Sequence, residues 1–258
     1  MPLLGLGVYD MYKAEAESAV EDALAIGYRL IDTASMYENE VEIGNAIKNA
    51  GLDRKEIFLT TKLNNTDHGY EAALKAFDDS LKKLGQDYVD LYLIHWPIKE
   101  GRAASWKGLE KLYAEKRVKA IGVANYNITL LEELKLTANI VPAVNQIEFS
   151  PWLYQEDLLA YCKAAGIQVQ SYSPITRGLK FSDERLVLIC NKYNRTPAQI
   201  VLNWHLQHGI STIPKSSKKE RLVENFDATS FTLSNEDVKI MNGFNENFRI
   251  CDDPQTYL

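Results

Sequence analysis

The chain has 258 residues, 46% of them apolar and 25% charged, and a formal charge of −6. That length is near the upper end for a single domain, and the balance is ordinary for a soluble globular protein. The acidic excess argues against a nucleic-acid surface, and three scattered cysteines, Cys162, Cys190 and Cys251, form neither a CxxC pair nor a metal-spaced cluster.

At the N-terminus "MPLLGLGVYD" carries no basic region ahead of its apolar residues. No later apolar run approaches the roughly 18 residues that span a bilayer. With reduced thiols, a cytoplasmic protein without nucleic-acid or membrane partners is the expectation. Short apolar runs then alternate with amphipathic stretches. "LLGLGV" (3–8) predicts a strand and "AEAESAVEDALAIG" a helix; "YRLID" predicts the second strand and "NEVEIGNAIKNAG" its helix. "IFLTTK" (57–62) precedes "GYEAALKAFDDSLKKLG", where Ala73, Phe77, Leu81 and Leu84 recur at helical spacing and Gly85 stops the helix. "VDLYLIH" (89–95) precedes "SWKGLEKLYAEK", "VKAIGVAN" (118–125) precedes "ITLLEELKLTA", and "PAVNQIE" (142–148) precedes "QEDLLAYCKAAG". "IQVQSYSP" (167–174) precedes two helices, "DERLVLICNKYN" and "TPAQIVLNWHLQHG". "ISTIPKS" (210–216) precedes "KKERLVENFDA" and a last helix, "SNEDVKIMNGF".

Strands that alternate with helices imply parallel pairing, because a parallel pair needs a crossover. Eight such units in this length predict an α/β fold, an eight-stranded (β/α) TIM barrel forming one domain over 1–258. An open doubly wound sheet would need a glycine-rich phosphate turn, and "GLGVYD" lacks the GxGxxG spacing.

The active end of such a barrel is the C-terminal end of its strands. Asp32 ends the second predicted strand, with Tyr37 just beyond; Lys62 ends the third and His95 the fourth. Asn125, Gln146, Tyr172 with Ser173, and Lys215 with Ser216 lie at the ends of the fifth to eighth. A phenol is a poor acid at neutral pH; a lysine ammonium beside it stabilises the phenolate, and a carboxylate keeps that lysine charged and oriented. A neutral imidazole can hold a carbonyl oxygen. The set suits protonation of an oxygen that gains charge, as happens when hydride adds to a carbonyl. None of the four supplies a hydride, so a reduced nicotinamide is expected.

"GYRLIDTASMYENE", "LTTKLNN", "YVDLYLIHWP", "VNQIEFSP", "SYSP" and "IPKSSKKERLVEN" resemble, in order and spacing, the signatures of the aldo-keto reductases, notably short-loop microbial members similar to diketogluconate reductases. The resemblance spans nearly the whole chain. It implies an NADPH-dependent oxidoreductase reducing aldehydes and ketones, with catalytic Asp32, Tyr37, Lys62 and His95 and with Tyr37 as proton donor. It implies that Asn125 and Gln146 hold the carboxamide, that Tyr172 stacks on the nicotinamide, and that Ser173 lies near the pyrophosphate. It places Lys215, Ser216 and Arg221 around the adenosine 2′-phosphate and Glu224 and Asn225 near the adenine. Two cations and a hydroxyl at a strand-to-helix turn suit a phosphate dianion, which favours NADP(H).

The chain departs from the family pattern at four places. "GVANY" puts Ala124 where a serine hydroxyl normally helps hold the carboxamide, an expected loss of about 1 kcal/mol. "GLGVY" puts Val8 and Tyr9 where threonine and a pocket tryptophan are usual. The segment after His95 and the tail after "NENFR" are short, which predicts an open, shallow pocket lined by Tyr9, Trp96 and tail residues and suited to small or polar carbonyls.

Taken singly, Asp32 reads as a cap, Tyr37 as a surface aromatic, Lys62 as a solvated charge and His95 as a core histidine; the four together read as a site. Two other functions fit parts of the pattern. Lys62 at a barrel strand end also suits a Schiff-base aldolase, and a cofactor-binding, non-catalytic subunit would keep the same surface. No metal is expected. The partner is a small carbonyl compound and the chain is expected to be a monomer.

Overall fold

A computed structural model describes residues 1–257. Eight parallel strands follow one another in sheet order: β1 (Leu6–Gly7), β2 (Leu30–Asp32), β3 (Phe58–Leu63), β4 (Val89–Ile94), β5 (Val118–Ala124), β6 (Val144–Glu148), β7 (Gln168–Tyr172) and β8 (Ser211–Thr212). The sheet closes on itself. Leu4 pairs in parallel with Thr212, Gly5 N donates to Thr212 O at 2.9 Å, and Thr212 N donates to Leu3 O at 2.8 Å. At this seam a Cβ on Gly7 would lie 2.8 Å from Ile213 O, so only glycine lets the first and last strands approach.

Helices α1 (Lys13–Ile26), α2 (Glu40–Asn49), α3 (Tyr70–Leu84), α4 (Arg102–Ala114), α5 (Ile128–Lys135) and α6 (Glu156–Ala164) fill the crossovers. Two helices, α7 (Glu184–Tyr193) and α8 (Pro197–Gln207), precede β8, and α9 (Lys219–Phe226) and α10 (Asn235–Asn242) follow it. Local chemistry sets several starts. Thr196 and Gln199 form a reciprocal capping box ahead of Pro197, and Asn127 and Ser234 accept the Leu130 and Asp237 N–H groups. The eight-unit barrel with its extra helices is thus the predicted α/β fold.

Several boundaries differ from expectation. β1 and β8 pair over two residues each, because Pro214 has no N–H to continue a ladder. α4 starts at Arg102, ahead of the predicted Ser105, after Gly101 turns the chain at φ 91°. Tyr70, the first residue of α3, is 37% exposed.

Strand alternation divides the core. Tyr92 and Ile94 face outward into the large cluster beneath the helices, whereas Leu91 and Leu93 join Ala124 and Val144 in a small inner cluster. The mouth side of the interior is instead polar: Asp32, Lys62, Gln146 and Gln170 are all buried. No helix among the described residues is long and apolar enough to cross a membrane.

Candidate active site

Neighbouring strands bring the first four residues together. Asp32 is the last residue of β2, Tyr37 closes a 3-10 turn (Ser35–Tyr37), Lys62 sits near the end of β3 and His95 follows β4. Ser35 Oγ donates to Lys62 O at 3.0 Å, which fastens the turn to the next strand. Lys62 Nζ donates to Asp32 Oδ1 at 2.5 Å, to Thr33 O at 2.9 Å and to Tyr37 Oη at 3.3 Å. Asp32 and Tyr37 are therefore joined through the lysine. The His95 ring stands edge-on to Tyr37 at 5.6 Å between centroids, and its buried Nδ1 has no partner among the described residues.

Lys62 is wholly buried and Asp32 is 1% exposed, so each charge persists only because the other is present. Burial works against the ammonium, but Asp32 and then Tyr37 outweigh it and hold Lys62 above its ordinary range. Burial raises the Asp32 carboxyl, with Lys62 and Gln146 pulling back. The Tyr37 phenol was expected below its usual value because of Lys62. Burial instead dominates and leaves it raised, with Lys62 countering that rise. Burial, with the Lys62 charge added, holds His95 well below its usual value and hence neutral.

The proposed nicotinamide residues lie around this cluster. Asn125, at φ 65°, donates Nδ2–H to His95 O at 2.9 Å and accepts the Tyr172 hydroxyl at 2.7 Å. Gln146 Nε2 donates to Asp32 Oδ2 at 2.7 Å, a contact across 114 positions of sequence. Tyr172 ends β7, and Ser173 after it adopts φ 49°. Ala124 is buried and presents no hydroxyl beside Asn125.

Farther round the rim, Lys215 Nζ donates to Asp10 O at 3.0 Å across the β1–α1 loop. Ser216 is buried and forms a tight turn with Lys218 just before α9. Arg221 is exposed in the first turns of α9 and pairs with no carboxylate among the described residues. Lys219, also on the surface of α9, pairs with Asp22 at 2.7 Å. Glu224 turns its carboxylate to the Thr196 hydroxyl at 2.5 Å, and Asn225 is buried at 3% exposure. Arg221 and Lys215 bring two cations to this rim, Lys215 held by Asp10, while the Ser216 hydroxyl is turned to Lys218 O and Glu224 accepts from the Thr196 hydroxyl that caps α8.

Tyr9 is 54% exposed and stands edge-on to Tyr37 at 5.2 Å. Trp96 stacks on Tyr257 at 5.2 Å. The tail is thus a wall of the mouth, less open than its shortness suggested. Glu148 accepts the Ile250 and Cys251 N–H groups at 2.6 and 3.0 Å, and Arg102 donates to Tyr257 O at 3.0 Å. Trp152 O accepts from Glu246 N and Phe248 N. Sequence reasoning missed Glu148, Arg102, Gln170 and Tyr257. Glu148 inside "VNQIEFSP" carried the only available signal, an acid at a buried strand end.

Known proteins resemble the chain along its length. The family model described as aldo/keto reductase family matches residues 4–246. The glyoxal reductase of Bacillus subtilis (strain 168) is 46% identical over 259 residues, covering 100% of this chain and 94% of that protein. The methylglyoxal reductase DkgA of Escherichia coli (strain K12) is 41% identical, again covering 100% and 94%. A crystal structure of a Gox0644 mutant in complex with NADPH superposes with a TM-score of 0.94 at 39% identity, covering 99% of this chain and 94% of that one. With the barrel, the strand-end cluster and this full-length likeness in hand, the chain belongs to the aldo/keto reductase family.

Proposed function

We propose that the protein reduces small aldehydes and ketones to alcohols with NADPH, and that glyoxal and methylglyoxal are among its substrates. The observation that carries this reading is Lys62 donating to both Asp32 and Tyr37 in a buried site. The names of the bacterial relatives and the NADPH-bound structural neighbour support the substrate class and the cofactor.

A bound reduced nicotinamide supplies the hydride that this chain lacks. The residues then divide the remaining work. Tyr37 gives its proton to the carbonyl oxygen as that oxygen becomes an alkoxide. Lys62 offsets the charge left on the phenol, and Asp32 holds the lysine. Neutral His95 orients the carbonyl oxygen without competing as an acid. Asn125 and Gln146 meet the carboxamide, Tyr172 backs the ring, and Ser173 adjoins the pyrophosphate. Lys215, Ser216 and Arg221 receive the 2′-phosphate, with Glu224 and Asn225 alongside the adenine. Tyr9, Trp96 and Tyr257 border the substrate. A cytoplasmic monomer completes the reading, which sizing chromatography tests.

The aldolase alternative asks Lys62 for a neutral amine with a free lone pair. Three acceptors around Nζ and the raised affinity for its proton weigh against it. A purely binding role leaves the buried ion pair, costly to desolvate, without a use. The test is loss of NADPH absorbance on mixing with methylglyoxal. Tyr37→Phe is expected to abolish that turnover while still binding NADPH. An unaffected Tyr37→Phe, or substrate trapped on Lys62 by borohydride without cofactor, would overturn the reading.

A further inference from the structure

Beneath the proton relay runs a column of neutral polar side chains that the relay itself does not use. Gln146 Nε2 donates one hydrogen to Asp32 Oδ2 and the other to Gln170 Oε1, each at 2.7 Å. Gln170 Nε2 donates to Ser211 Oγ at 3.2 Å, and Ser211 Oγ donates to Pro2 O at 3.0 Å. The three side chains come from β6, β7 and β8 and are all buried. The Pro2 carbonyl can only accept, so the Ser211 hydroxyl donates to it and offers a lone pair to Gln170. Gln170 then turns its NH2 toward the floor and its oxygen toward Gln146. Gln146 must answer with its own NH2, and the second hydrogen meets Asp32. The direction of every bond from the barrel floor to the carboxylate is fixed, and the ionised acid at the far end requires the same direction.

We propose that Gln170 is a positioning residue for the reduction: by taking one N–H of Gln146 it aims the other at Asp32. The carboxylate is then held with Oδ1 toward Lys62, whose reach to Tyr37 is already long at 3.3 Å. This inference rests on the reductase reading of Asp32, Lys62 and Tyr37. Removing the Gln170 acceptor leaves a buried N–H without a partner, frees Gln146 to rotate, and lets the carboxylate and lysine drift from the phenol.

The test is a double-mutant cycle on methylglyoxal reduction. Gln170→Met is expected to lower kcat about tenfold with KM for the aldehyde unchanged within about twofold. Gln146→Met with Gln170→Met should be no slower than Gln146→Met alone, because Gln170 acts only through Gln146. Independent losses that multiply, or an unchanged kcat in Gln170→Met, overturn the proposal. A second readout needs no turnover. The Gln146 side-chain amide, assigned in 15N spectra by its loss in Gln146→Met, should exchange with solvent at least about tenfold faster in Gln170→Met. Equal exchange also overturns the proposal. Where Gln170→Met does not fold, Gln170→Asn withdraws the same acceptor by one methylene and reads both experiments. If the wild type reduces no carbonyl with NADPH, the reductase reading falls, while amide exchange still decides whether Gln170 orients Gln146.

Discussion

Lys62 keeps a charge where water does not reach, and it does so with three acceptors, Asp32, Thr33 O and Tyr37. Lys62→Met removes the cation and leaves the buried Asp32 without a counter-charge, held only by Gln146. We expect turnover to fall strongly with NADPH affinity, read by fluorescence titration, largely intact, and stability to drop by about 3–5 kcal/mol. Wild-type turnover in that variant would end the relay assignment. At the rim, exposed Arg221 pairs with no carboxylate among the described residues, so its guanidinium is available to a 2′-phosphate. Arg221→Ala should raise the Kd for NADPH at least about tenfold and leave that for NADH nearly unchanged; equal weakening would place the phosphate elsewhere. Residues such as Asp32, Tyr37 and Lys62 were legible because polar side chains at the ends of apolar strands stand out. Gln170 was not legible: it lies within a strand, and its meaning depends on Gln146 and on Ser211, 41 positions away.

At the scale of elements, strand and helix order could be read from alternation, because each buried strand is a short apolar run and each helix carries one apolar face. The ends could not. β8 stops where Pro214 breaks the ladder, and α4 starts early because a left-handed Gly101 turns the chain. His205 ties α8 to the barrel. Its Nδ1 lies 2.8 Å from Val201 O, and its Nε2 lies 3.2 Å from Ser171 Oγ and 3.0 Å from Phe149 O. Burial pushes this imidazole down to about 4 from 6.5, with the two carbonyls opposing. The unfolded chain therefore binds more protons than the native one between those values. The stability contributed by keeping His205 neutral is present above pH 6.5 and is lost as pH falls toward 4, by at most about 3 kcal/mol. Buried His95 shifts the same way, so His205→Gln isolates the effect. Its denaturant midpoint should fall less than that of the wild type between pH 7 and pH 4.5; parallel curves would refute this.

Across the whole molecule, the barrel is closed at the Leu4–Thr212 seam, and the tail crosses its mouth from Trp152 past Glu148 to Arg102. Arg102 is buried, forms a two-bond ion pair with Glu133, and donates to both Pro97 O and Tyr257 O. Arg102→Ala should release the tail's end, and limited proteolysis followed by mass spectrometry should show cleavage there about tenfold faster; an unchanged rate would mean the Trp96 stack alone suffices. Composition hid this strap, since its binding depends on groups brought together only by closure of the barrel. Glu148, Trp152 O and Arg102 all hold the strap by its main chain, touching N–H and C=O groups that every residue except proline presents. Side chains add their own hold at a few positions, Tyr257 on Trp96, Phe248 on the core and Glu246 on Lys180. Between those positions attachment does not depend on residue type, so that part of the tail can be rewritten for another carbonyl compound while the barrel beneath it stays as it is.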